Sequence, residues 1–252
     1  MRHLLTVMLL SLLAACGSVP RDVDGLLPAD ALLLGEQHDA ASHQQRHREA
    51  VQWLAGQGRL AAVALEMAEQ GNTTAGLPRD ATPQAVQAAL RWNEQAWPWA
   101  SYGPAVMAAV QAGVPVLGAN LPHAAMRAAM ADPQLDKLLP PVALKAQQEA
   151  IRNGHCGLLP ETQIAPMARI QLARDQAMAQ VIATAVVPGK TVLLLAGAGH
   201  VDPQLGVPQH LPPALAAKPL RWPAEPQAKD YCAELRQQMQ APAPTATPRT
   251  SP

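Results

Sequence analysis

The stretch ALLLGEQHDAASHQQRHREA, residues 31–50, decides the fold. It runs four apolar residues into Gly35, then places Glu36, His38, Asp39, His43 and His47 within a dozen positions. Four consecutive apolar residues are too few for a buried helix. Their unbroken character suits a strand covered on both faces, as parallel sheets require. Such a strand delivers Glu36 and His38 at its carboxyl end, and the polar run behind it predicts a helix over roughly 40–55. The competing reading is a strand, a turn and an exposed polar helix.

Three more segments repeat the arrangement and favour the first reading. Ala61–Leu65, Val114–Leu117 and Thr191–Leu195 are short apolar runs of the same kind. Helical patterns lie between and beyond them at roughly 82–91, 101–112, 122–130, 143–152 and 161–186. Strands alternating with helices give an α/β fold with a mainly parallel sheet flanked by helices. A helical insert separates the third and fourth strands, over about 120–187, and is expected to form a lobe over one sheet edge. Each strand ends on polar residues: LLLGEQH on Glu36 and His38, VALEM on Glu66, VLGAN on Asn120, LLLAGAGH on His200. Ligands of open α/β sheets sit beyond the carboxyl ends of the strands, so these side chains should converge on one rim. Gly35 is expected to turn the chain out of its strand, and Gly197 and Gly199 to allow close backbone approach. GAGH lacks the third glycine of a dinucleotide fingerprint, and the chain carries no phosphate loop, serine nucleophile elbow or HExxH helix. His43 and His47 share the inward helix face with Ala50 and Leu54, either as a metal pair or as core-edge residues bonded locally.

The ends read differently. MRHLLTVMLLSLLAAC has a basic residue, a short apolar run and small residues before Cys16, the pattern of a bacterial lipoprotein signal. Residues 1–15 are then a signal peptide, and Cys16 the lipidated first residue of the mature chain, anchored by acyl groups such as palmitate. Gly17 in the next position points to the outer membrane. Residues 16–29 are expected to be a tether, 30–240 a single domain, and the Pro/Ala/Thr-rich 241–252 a disordered tail. With 19 basic and 19 acidic residues the chain shows no basic patch for nucleic acid. Cys156 and Cys232 remain to pair in an oxidising compartment.

Aromatic residues concentrate in one place. RWNEQAWPWASYGP, residues 91–104, holds three of the five tryptophans and one of the two tyrosines. It forms either an apolar shelf for a planar ligand or a helix junction closed by large residues. Tyr102 is the sharper element, since a phenolate is a hard oxygen ligand suited to ferric iron. Further on, HCGLLPE at 155–161 precedes a long helix carrying Arg169, Arg174 and Asp175.

Taken in order, GEQHD at 35–39, LEM at 65–67, WASY at 99–102, GANLP at 118–122, HCGLLPE, QLARDQAMA at 171–179 and GAGHV at 197–201 resemble the ChaN-like haem-binding lipoproteins. The resemblance spans about residues 30–222. It implies an α/β lipoprotein of the bacterial outer membrane that serves haem and iron acquisition. It also implies haem shared across a homodimer interface, with a tyrosine on each iron and a partner histidine nearby, and an outer-membrane receptor as a further partner. Carried over, Tyr102 becomes the iron ligand, because Tyr231 lies beyond the matched motifs. His155 becomes the partner histidine, Arg174 the propionate contact, and His38 and His200 further haem-pocket residues. The wider superfamily, similar around GExH and GH, includes Tiki metalloproteases and erythromycin esterases. That similarity implies an alternative, a hydrolase in which Glu36, His38, Glu66 and His200 activate water, with or without a divalent metal.

Overall fold

The computed structural model describes residues 21–226 and 230–240. Strands β1 (Ala31–Glu36), β2 (Leu60–Glu69), β3 (Val116–Asn120), β4 (Thr191–Gly197) and β5 (Ala217–Arg221) lie in the order β3-β2-β4-β1-β5, every pairing parallel. The four expected strands are all present. The sequence reading missed β5, because AKPLR is only half buried and carries a proline, which an edge strand tolerates.

Every residue of β1 and β4 is buried, and the residues alternate between two cores. Leu32, Leu34, Leu193 and Leu195 face the helices α2 (Ala41–Gly56) and α4 (Trp99–Gln111), where they meet Val51, Leu54, Val106 and Val110. Ala31, Leu33, Val192 and Leu194 face the opposite way, onto Met178 and Ile182 of α7 (Glu161–Ala185). Two covered faces explain why the strands read as unbroken apolar runs. Burying each large side chain contributes about 1.5–3 kcal/mol.

The insert between β3 and β4 is helical as expected, comprising α5 (His123–Ala131), a 3₁₀ turn at Pro133–Lys137, α6 (Pro141–Gly154) and α7. It is only partly a lobe, however. The apolar stripe Met178, Ala179, Ile182 lays α7 directly on the sheet, leaving α6 to pack on α7 through Ile151, Ile164 and Ala168. Arg169 fixes the lobe, donating to Asp136 through Nε and Nη2 at 2.9 and 2.8 Å.

Part of the expected tether is folded. Arg21–Asp24 forms a short helix, α1, with Val23 buried, and Leu26 and Leu27 pack on the first core, an apolar spacing that a tether would not need. Short α3 (Pro83–Leu90) is capped by Thr82, whose hydroxyl accepts from the Ala85 N–H. A last helix, α8 (Tyr231–Gln240), was not expected. Among the described residues no helix is long and apolar enough to cross a membrane. The signal peptide, Cys16 and the tail at 241–252 lie outside the described residues.

Candidate functional site

The strand ends converge as the sequence implied. Glu36 closes β1, Glu66 lies in β2 at about the same height, Asn120 closes β3, and Gly197 at the end of β4 pairs in register with Glu36. Gly35 acts differently from the expectation. It lies inside β1 rather than at a turn, and a Cβ there would meet Val201 Cγ2 at 2.3 Å. Gly197 does permit close approach, because a Cβ would meet His38 Nε2 at 2.8 Å, whereas Gly199 has open space around it.

Glu36 is 1% exposed and is the hub of the first half of the site. Its Oε1 accepts from the Tyr102 hydroxyl at 2.7 Å and faces His38 Nδ1 at 2.7 Å. A carboxylate only accepts, so the His38 proton sits on Nδ1 and Nε2 is left toward Gly197. Its Oε2 faces Gln44 Nε2 at 3.4 Å and His47 Nδ1 at 3.3 Å. Burial opposes charge on His38, but the Glu36 hydrogen bond and the Glu66 charge outweigh it and raise its pKa. Its side chain stays 41% exposed, the most open group of the rim.

His200 is the hub of the second half. It is buried between two carboxylates, with Nδ1 2.5 Å from Asp175 Oδ1 and Nε2 3.2 Å from Glu66 Oε1. Burial alone would lower its pKa, but Glu66 and Asp175 lift it to about 10, so the ring is an imidazolium at neutral pH. Burial pushes the other way on Glu66, yet His200 and the Gly197 N–H, which donates at 2.7 Å, hold it down at about 2. Burial raises Asp175 to about 6. The sequence reading gave Asp175 no role. Its signal was an acid on the inward face of an otherwise apolar stripe of α7.

The remaining assignments divide. His43 and His47 are buried on the inward face of α2 and serve locally: His43 Nδ1 accepts from the Gln37 N–H, and both rings lie against Trp222, 5.4 and 5.2 Å between centroids. Burial lowers His47 to about 4. Tyr102 is 4% exposed with its hydroxyl turned to Glu36, and burial and that carboxylate push the phenol far above its ordinary pKa. His155 ends α6, its ring nitrogen 2.8 Å from the Ile151 carbonyl. The aromatic segment closes a helix junction and also supplies one cleft-lining ring. Trp92 and Trp99 lock together edge to face, while Trp97 reaches the rim and meets His38 at 4.9 Å.

Glu36, His38, Glu66, His200 and Trp97 border a cleft of about 1090 Å³, just above the usual size for ligand pockets, whereas Tyr102 and His155 are not among its lining residues. Its walls include Met67, Trp97, Leu121 and Met126, with Arg91 and Arg174 as cations and the 42% exposed Tyr231 as its phenol. Among the described residues, Arg174 Nε and Asn120 Oδ1 at its wall are buried without a hydrogen-bond partner. Among the described residues no three His, Cys, Asp or Glu side chains are arranged to hold a metal ion.

Fold and cleft define an α/β protein with a sizeable cleft at the carboxyl ends of a parallel sheet. The sequence profile of the family described as haem-binding uptake, Tiki superfamily, ChaN matches residues 23–211, and the chain belongs to that family. Among solved structures it is similar to ChaN of Campylobacter jejuni, a protein with cofacial haem binding. The two are 24% identical over 79% of this chain and 83% of that one, with a TM-score of 0.63, a likeness that shows the shared fold. No curated protein matches the chain in sequence.

Proposed function

We propose that this chain binds haem in the cleft beyond the strand ends and serves haem or iron acquisition as a lipoprotein anchored through Cys16 to the outer membrane. Family membership supports the ligand. The observation that carries the reading is Arg174, whose buried, unpartnered Nε at the cleft wall calls for an anion, as a haem propionate is. The walls fit the rest of the group: Trp97, Met67, Leu121 and Met126 offer apolar surface to a flat macrocycle.

Bound haem supplies a ferric centre that takes an oxygen donor. Two phenols are available. Tyr102 reaches it only by parting from Glu36, whereas Tyr231 already lines the cleft. A homodimer sharing haem across its interface, with His155 contributed by the partner, and an outer-membrane receptor complete the proposal. His38 and His200 border the ligand as hydrogen-bonding groups.

A haemin titration of the full chain, followed by visible absorption, tests the reading. A saturable shift of the Soret band with a phenolate charge-transfer band is expected, and Tyr102→Phe and Tyr231→Phe identify the ligand by which one abolishes that band. A spectrum that stays that of free haemin removes the proposal.

One observation favours a second reading, hydrolysis. Glu36, His38, Glu66 and His200 do meet at one rim. In it His38, open and oriented by Glu36, is the proton acceptor, and the imidazolium of His200 stabilises developing negative charge, with or without an added divalent cation. Turnover of ester substrates that His38→Ala abolishes is its test.

A further inference from the structure

Beyond the family match, which ends at 211, the chain continues past the GEQHD turn and supplies one cleft-lining residue, Tyr231. After β5, Trp222 packs on the His43 and His47 rings and donates its indole N–H to Asp22 at 2.8 Å. The Glu225 N–H then donates to Gln37 Oε1 at 3.0 Å, and the Ser42 hydroxyl donates to the Glu225 carboxylate. This part of the chain is thereby seated on the GEQHD turn. Helix α8 follows, its first turn capped by Asp230, which accepts from the Ala233 N–H at 2.9 Å.

One side chain at the start of α8 lines the cleft, Tyr231, whose phenol pKa is raised by desolvation and by Asp39, the last residue of GEQHD. Its neighbour Cys232 forms a disulfide with Cys156, 76 residues earlier, on the loop that ends α6. Gly154, two residues before Cys156, is itself a cleft wall. The disulfide thus ties together two segments, at Gly154 and Tyr231, that both line the cleft.

Among the described residues, apolar packing contributes little to holding α8. No described side chain of the helix belongs to the three apolar clusters. A ten-residue helix has marginal stability in water without packing. Its position depends on one covalent bond and on polar contacts, each of which contributes modestly.

We propose that the Cys156–Cys232 disulfide is a redox lock on the cleft: it holds α8 so that Tyr231 closes the mouth against Asp39, and opening it speeds ligand exchange. A dithiol opens the lock by thiol–disulfide exchange. It gives up two electrons and two protons, becomes its own disulfide, and leaves Cys156 and Cys232 as thiols. The lock rests on the haem reading only for the identity of the ligand.

The test has two arms on the full chain. Without ligand, amide hydrogen exchange is compared for wild type, wild type with a dithiol, and Cys156→Ser/Cys232→Ser. The α8 amides are expected to lose protection in the last two while β1 and β4 keep theirs, which also shows that the variant is folded. The second arm measures haemin transfer to an excess of an apoprotein acceptor, using the serine variant so that no reductant touches the iron. Release is expected to quicken about tenfold. Unchanged α8 protection overturns the lock, as does a loosened α8 with haemin release at the wild-type rate. If haemin does not bind wild type, the haem reading falls, and the exchange arm alone decides the lock.

Discussion

Replacing Glu66 by glutamine keeps the side chain's shape and removes its charge from the point where β2, β4 and α7 meet. In the wild type this carboxylate is 3% exposed, accepts from the Gly197 N–H at 2.7 Å and faces the His200 imidazolium at 3.2 Å. A carboxyl held at about 2 instead of 4.5 contributes on the order of 3 kcal/mol at neutral pH. For a domain of this size that corresponds to a fall in melting temperature of about 6–12 °C, read by circular dichroism at pH 7. The sign of the pH dependence follows from the depressed pKa. The stabilisation is fully present above pH 4.5 and is lost as the pH falls through 2. At pH 3 the difference between wild type and variant should therefore shrink to less than half of its value at pH 7. A melting temperature within about 2 °C of wild type at pH 7 would refute the reasoning, and so would an equal loss at both pH values.

Three further outcomes are expected. Gly35→Ala should cost about 1–3 kcal/mol in urea unfolding, because the new methyl has Val201 Cγ2 2.3 Å away and the Ala198 Cα at 3.0 Å. Arg174→Gln should weaken haemin binding about 10- to 100-fold, the loss of a charge-assisted hydrogen bond, with the melting temperature unchanged. Tyr102→Phe should lower stability by about 1.5–3 kcal/mol whether or not haem is present, since the buried Glu36 carboxylate loses a donor at 2.7 Å; an unchanged denaturation midpoint would show that this bond does not matter.

The sheet was legible because burial on two faces leaves a mark that needs no partner to be seen. ALLL and VLLL are apolar at every position, and each runs on into the residues of the rim. The edge strand β5 left no such mark, since an edge needs only one apolar flank and admits Pro219. The rim was legible from the repeated strand-end pattern, which named Glu36, His38, Glu66 and His200. Their division into two clusters was not, because it depends on partners distant in sequence: Tyr102 on Glu36, Asp175 on His200. Tyr102 illustrates the limit. Its residue type suited iron, but only the packing shows its hydroxyl turned to Glu36. Tyr231 has the converse history: nothing near it in sequence points to a site, and it reaches the cleft beside the Cys156–Cys232 disulfide, across 76 residues.

The most direct test is a crystal structure of the chain loaded with haemin. The account predicts the macrocycle in the cleft beyond β1, β2 and β4, a propionate on Arg174, and a phenol oxygen from Tyr102 or Tyr231 on the iron. Haem seated elsewhere on the molecule, with Arg174 still unpartnered, would contradict it.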